Sequence, residues 1–194
     1  LHPSIYSYVQ GVTKALDIRR GTWSEPEMDL VALAVRPGDD VLDVGANYGL
    51  YTHLLSHAVA PGGRVFAFEP VPFTNRTLVF VSRLLGLRNV TVVPKGCSDV
   101  SGTVTFRVPV QHSGALSAGL ACIAVRTDDR PGAETQVRWD RTTEIQCEVV
   151  ALDEFLPPLK NLSLIKCDIE GAELLAFRGA ARTIDAHHPT IICE

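Results

Sequence analysis

The chain has 194 residues, 46% hydrophobic and 21% charged, with a net charge of −4 from 18 basic and 22 acidic side chains. One domain is typically about 100–200 residues, so a single domain with a real core is expected, and the composition excludes a disordered or collagen-like chain. There is no Lys/Arg block, and the longest purely apolar run, Leu30–Val35, is far short of the roughly 20 residues of a membrane span, so no nucleic-acid partner and no membrane span are expected.

Residues 1–23 mix apolar and polar positions up to Arg19-Arg20-Gly21 and are taken as an N-terminal helix or arm. Ser24-Glu-Pro-Glu27 has the form of a capping box with Pro just inside the helix start, and Met28, Val31, Ala32 and Val35 follow at helical spacing until Pro37-Gly38. Asp40-Val-Leu-Asp-Val-Gly45 then reads as a parallel strand buried on both faces. Leu50, Leu54, Leu55 and Ala58 predict a helix, and Arg64–Glu69 a second buried strand after Pro61-Gly62-Gly63. A helix from about Pro72 to Leu85 and a strand at Val90–Val93 continue the alternation, which predicts a doubly wound parallel sheet.

Residues 97–150 break the rhythm. Thr103–Val108 suggests a hairpin strand and Glu148–Leu152 is strand-like, while 111–146 reads as irregular, the kind of insertion that serves as a lid or binding loop. The rhythm resumes with a strand at Leu162–Cys167, a helix at Gly171–Gly179 and a strand at Thr190–Cys193. Cys97, Cys122, Cys147, Cys167 and Cys193 are odd in number and lack C-x-x-C spacing, so neither a disulfide framework nor a zinc site is expected. There is no basic start followed by an apolar signal region, which makes a cytoplasmic location the expectation. The chain begins at Leu1 rather than Met, and Pro189–Glu194 reads as a strand with nothing after it, so a longer parent chain is expected.

The chemistry concentrates in two places. Asp43-Val-Gly-Ala-Asn-Tyr-Gly49 puts two glycines four apart between a buried strand and a helix, where the backbone turns tightly and approaches a ligand. Glu69 ends the next strand, 26 positions beyond Asp43, where a carboxylate can accept both hydroxyls of a ribose. Asn47 stands where the dinucleotide fingerprint G-x-G-x-x-G needs its second glycine. That disfavours an NAD-linked oxidoreductase and suits S-adenosylmethionine, which has no pyrophosphate. The second place is Ile165-Lys-Cys-Asp-Ile-Glu-Gly-Ala-Glu173, which crowds Lys166, Asp168, Glu170 and Glu173 at one strand-to-helix junction. Such charges are costly at the end of a buried strand unless a ligand uses them.

These two segments, with Phe68-Glu-Pro70 and Asn75, Lys95-Gly-Cys-Ser-Asp99, Ala151-Leu-Asp153, Gly179 and His188-Pro189 through Glu194, resemble in that order the FkbM-type family of S-adenosylmethionine-dependent methyltransferases. The likeness runs from about Glu25 to Glu194; the K-x-D-x-E-G-x-E block is its most specific part, and Cys167 stands where an aliphatic residue is common. The resemblance implies an α/β fold, a Rossmann-like class I methyltransferase, with a mostly parallel doubly wound sheet and an inserted β-hairpin or loop region. Residues 24–194 would form the S-adenosylmethionine-binding domain. It further implies that S-adenosylhomocysteine is the product and that a hydroxyl on a sugar, glycan or natural product is O-methylated. Carried over by residue, Gly45, Ala46, Asn47 and Gly49 would line the methionine portion, with Asp43 supporting the loop. Glu69 would bind the ribose with Pro70 beside it, Ser98 and Asp99 would lie near adenine, and Asp168 near the methionine amino group or the transferring methyl.

A neutral hydroxyl must lose its proton on methylation, and Asp168, Glu170 and His53 are the candidate bases by position. The acidic cluster could instead hold a divalent cation, although no metal is expected. A cofactor-binding domain without catalysis is the remaining alternative. Tyr48, Tyr51 and Trp139 are candidate acceptor contacts. A full class I sheet has seven strands, whereas five core strands are read here, so the last pair is expected to be missing, disordered or supplied elsewhere. Strand 190–194 would then be an apolar edge able to pair with a second copy in a homodimer.

Overall fold

The computed structural model describes residues 3–111, 121–123 and 137–193, with side chains described for 8–109, 121 and 142–193. Its centre is a five-stranded parallel sheet ordered β3-β2-β1-β8-β9, from β1 (Asp40–Val44), β2 (Arg64–Phe68), β3 (Val90–Val93), β8 (Leu162–Cys167) and β9 (Thr190–Cys193). The chain starts in the middle, winds out to β3, then returns beside β1 and winds out to β9. This places a topological switch between β1 and β8, where open α/β sheets bind ligands.

Each central strand is apolar on both faces because helices cover both. Val41, Val65 and Leu164 pack with Val31 of α2 (Met28–Ala34) and Leu55 and Val59 at α3 (Leu50–Ala58). The alternate residues Leu42, Val44, Phe66, Phe68, Ile165 and Cys167 point the other way, toward Ala176 of α6 (Glu173–Arg178) and Ala180 before α7 (Ala181–His187). On the first face α4 (Pro72–Leu84) packs Leu78 against Ala67. The N-terminal segment is a helix, α1 (Pro3–Arg20), laid on α4: the Tyr8 and Phe80 rings meet edge to face at 5.1 Å, and Ala15 and Ile18 cluster with Val81 and Leu50. No helix among the described residues is long and apolar enough to cross a membrane.

The hairpin strand expected at Thr103–Val108 forms, and strand extends from it into part of the 111–146 stretch expected to be irregular. Residues 97–150 build most of a second sheet, ordered β4-β7-β5-β6, from β4 (Gly96–Cys97), β5 (Gly102–Gln111), β6 (Cys122–Ile123) and β7 (Val137–Val150). β5 and β7 pair antiparallel from Gly102 opposite Val149 to Gln111 opposite Val137. Val104, Phe106 and Val108 on β5 and Ile145, Cys147 and Val149 on β7 alternate with polar residues that are exposed, or partly so at Thr105, so one face of the ribbon is apolar and buries itself. Of the expected irregular stretch, residues 112–120 and 124–136 lie outside the described residues, as do Glu194 and the side chain of Trp139, which stands in β7.

Two helix starts also differ from expectation. The Ser24–Glu27 capping box does not form: Glu27 has helical backbone angles and no side-chain cap bond, and α2 begins at Met28. The Glu25 carbonyl takes the Met28 N–H at 3.1 Å while the Glu25 N–H lies 3.3 Å from the Met28 sulfur, so a turn stands where an extended cap residue is needed. The helix expected at 171–179 begins only at Glu173, because Glu170 and Gly171 have φ of 54° and 91°. A separate helix, α7, follows it.

Candidate active site

The carboxyl ends of β1, β2 and β8 converge on one cleft. Gly45, with φ of 83°, turns the chain out of β1 so closely that a Cβ there would lie 1.9 Å from the Asp168 carbonyl oxygen. The loop after β1 is thus seated on the loop after β8. The Gly45 and Ala46 N–H groups donate to the Phe68 carbonyl at 3.0 Å, and the Asp168 N–H to the Val44 carbonyl at 3.0 Å, tying the three strand ends together. Asn47 has φ of 48°, and its side-chain oxygen is buried with no hydrogen-bond partner among the described residues.

Glu69 is buried beneath this loop. One carboxylate oxygen accepts the Asn47 N–H at 3.1 Å and the other the Val71 N–H at 2.9 Å, while Asn75 Nδ2 donates to the Glu69 carbonyl at 3.1 Å. Burial pushes its carboxyl up to about 7 against the pull of those two N–H groups, and the nearby Asp43 carboxyl adds to the rise. Each oxygen keeps a lone pair for a further donor. Asp43 stands lower in β1 and accepts from Thr52 Oγ1 at 2.5 Å; burial raises it to about 6, opposed by Thr52 and the Lys166 ammonium. It ties the first turn of α3 to the sheet.

The β8 side is held from below. Lys166 sits beside Asp43 in the sheet register, and its ammonium lies 3.3 Å from Asp168 Oδ2 and 4.8 Å from the Tyr51 ring. Glu173 takes the Ile169 N–H at 3.2 Å and the Gly171 N–H at 2.8 Å on one oxygen, so the last acid of the motif holds the loop's shape. Glu170 faces the cleft from that loop.

Of the residues singled out in the sequence, Gly45, Asn47, Glu69, Pro70, Asp168 and Glu170 line the cleft together. Asp43, Ala46 and Gly49 stand behind it; Gly49, φ 94°, is pressed on Leu78, to which a Cβ would come within 2.8 Å. His53 does not line it: it is half-buried on α3, its ring 4.4 Å from that of His57, and burial first and His57 second hold its imidazole below the usual range. Ser98 and Asp99 do not line it either. Ser98 is buried, its hydroxyl donating to Asp99 at 3.1 Å and its carbonyl so tight on Gly179 that a Cβ there would lie 2.0 Å away. Asp153 accepts the Arg182 and Thr183 N–H groups at 2.9 and 2.8 Å, capping α7. The Ser98, Asp153 and Gly179 blocks therefore form a joint beside the cleft.

The other wall is apolar: Gly96 and Cys97 belong to the Lys95–Asp99 block noted in the sequence, whereas Val71, Phe106 and Ala121 were not singled out there. Phe106 and Ala121 come from the inserted sheet; the alternation Val104, Phe106, Val108 is the signal that marks Phe106 as inward-facing. Among the described residues no group of three or more His, Cys, Asp or Glu is placed to hold a metal ion.

Residues 43–194 match the model of the family described as Methyltransferase FkbM domain. The 31-O-demethyl-FK506 methyltransferase FkbM of Streptomyces tacrolimicus is 55% identical over 176 aligned positions, which take in 81% of this chain and 64% of the relative. Methyltransferase 1 of Beauveria bassiana (strain ARSEF 2860) is 31% identical over 147 positions, 72% of this chain and 57% of the relative. The chain thus spans about three fifths of the length of these curated relatives. Among solved structures, the methyltransferase FkbM from Methylobacillus flagellatus KT superposes with a TM-score of 0.54 at 20% identity, covering 86% of this chain and 39% of that one, which is a likeness of fold.

Proposed function

The chain belongs to the FkbM methyltransferase family, and on that premise we propose that its cleft binds S-adenosylmethionine and that the protein transfers a methyl group to a hydroxyl oxygen of a sugar, glycan or natural-product acceptor. The observation that carries this reading is the buried Glu69 carboxylate at the end of β2, facing the same cleft as the glycine loop and the buried, unpartnered Asn47 oxygen. Two lone pairs for a diol and one orphaned acceptor fit a ligand with a ribose and an ammonium group. A pyrophosphate would find no close backbone approach at Asn47.

The cofactor would supply a methyl group on a sulfonium sulfur. This chain's part is to hold ligand and acceptor in line, for which orientation alone is worth roughly 7–11 kcal/mol. Glu69 would take the ribose hydroxyls, Asn47 and the Gly45 turn would line the methionine portion, and Asp168 would face its ammonium group. Asp168 and Glu170 are the carboxylates in the cleft able to accept the acceptor's hydroxyl proton. Oxygen as the methylated atom is supported by the name of the Streptomyces relative, which gives a 31-O-demethyl compound as what it acts on.

Calorimetry with S-adenosylhomocysteine and with NAD tests the cofactor: binding of the adenosyl compound alone is expected, and binding of NAD alone would overturn the reading. Transfer of a labelled methyl group from S-adenosylmethionine to a panel of hydroxylated sugars and lipids tests the reaction. The product is expected to carry the label as an alkali-stable ether; label only on nitrogen or sulfur would overturn O-methylation.

A further inference from the structure

We propose that the inserted sheet supplies the purine-binding wall of the cleft, with the Phe106 ring as the surface on which the adenine lies; this rests on the methyltransferase reading above. The charged side chains of the cleft are unevenly spread. Asp168 and Glu170 come with Asn47 from the loops after β8 and β1, where Ile169 and Ala172 also line it, whereas Val71, Gly96, Cys97, Phe106 and Ala121 form a stretch with no charged side chain; Glu69 and Pro70 follow β2, which lies between β1 and β3 in the sheet. A nucleoside carrying an amino-acid tail is divided in the same order, with its ribose in the middle. With the ribose on Glu69 and the charged tail among the polar groups, covalent connection leaves the flat, apolar base to the remaining wall.

That wall is continuous. Pro70 and Val71 follow Glu69 directly, and a Cβ on Gly96 would lie 3.5 Å from both Pro70 Cβ and Phe106 Cζ, so these three surfaces meet around a residue without a side chain. Ala121, which also lines the cleft, packs against the Val71–Val108 cluster and the Phe106–Cys147–Val149 cluster. Ser98, in contrast, is buried with its carbonyl against Gly179, and its hydroxyl donates to the exposed Asp99. The hairpin thereby belongs to cofactor binding as well as to whatever acceptor contacts it makes.

The test compares S-adenosylhomocysteine with 5′-methylthioadenosine, which shares the adenosine but lacks the amino-acid tail, by calorimetry on the parent and variants. Base-on-aromatic stacking is worth about tenfold in affinity when the ring is removed. Phe106→Ala is therefore expected to weaken both probes equally by about tenfold and Phe106→Tyr to restore both, while Asp168→Asn weakens the tailed probe alone. Should Phe106→Ala fail to fold, Ala121→Leu, which fills the slot, is expected to weaken both probes. Phe106→Ala at parent affinity for both probes would overturn the proposal, as would loss of both in Asp99→Ala while Phe106→Ala keeps them. A parent protein that binds neither probe would overturn the methyltransferase reading, and this inference with it.

Discussion

Glu69 shows how one side chain joins structure to function. Burial raises its carboxyl to about 7, and Asn47 and Val71 each give it one N–H, so the free protein holds it near the midpoint of titration at neutral pH. Ribose hydroxyls donate best to the ionised form, so the ligand favours the deprotonated state. Affinity for S-adenosylhomocysteine is expected to rise between about pH 6 and about pH 8 and then level off. Glu69→Gln should flatten that profile and weaken binding about tenfold or more, read by calorimetry across pH at constant ionic strength. Gly45 is constrained in a different way. With φ of 83° and the Asp168 carbonyl 1.9 Å from any Cβ, Gly45→Ala must separate the β1 and β8 loops; it is expected to cost more than about 3 kcal/mol in a urea titration.

The loop between β8 and α6 carries two residues of positive φ, of which Glu170 is strained and Gly171 is not, and Glu173 is the group that holds it, through the N–H groups of Ile169 and Gly171. Glu173→Ala is expected to cost about 1–3 kcal/mol and to speed hydrogen exchange at those two amides, while Glu173→Gln, which keeps an acceptor oxygen, retains most of the protection. Four charges in nine residues were legible as a cluster at a strand end; their separate positions were not. Asp168 and Glu170 face the cleft, Lys166 lies under Asp168, and Glu173 serves the backbone, a division set by which way each residue leaves the strand end. At the other end of the chain, α1 is an element of the core. Ile18, 7% exposed and packed with Val81 and Leu50, should cost about 2–5 kcal/mol when changed to Ala, read as a lower denaturation midpoint.

Across the whole molecule, two sets of carboxylates set opposite pH limits. Asp43 and Glu69 are raised by burial to about 6 and about 7 from 3.8 and 4.5, so the folded chain holds protons that the unfolded chain has released, and stability falls as pH rises through that interval. Asp39, Asp40 and Asp153 are lowered below 3.8, by hydrogen bonds that outweigh their burial in each case and with Arg64 and Arg182 beside the last two, so their contribution is present above that value and lost as pH falls below it. The ligand-free protein should be most stable near about pH 4 and lose stability as pH rises toward about 7, with saturating S-adenosylhomocysteine moving the maximum upward; melting temperatures across pH check both. The alternating apolar strands and helices, the glycine turn after β1 and the acid after β2 were all determined by the sequence, because each follows from local spacing along one chain. The tertiary structure alone decided the rest. The hairpin was legible at Thr103–Val108 but its full length was not, because only one face of it is apolar, and it becomes a wall of the cleft through contacts with Val71 and Gly96 that lie far from it in sequence. His53 and the Ser98–Asp99 pair sit close to the site in the sequence and yet do not line the cleft, since the direction of a side chain is set by what packs around it.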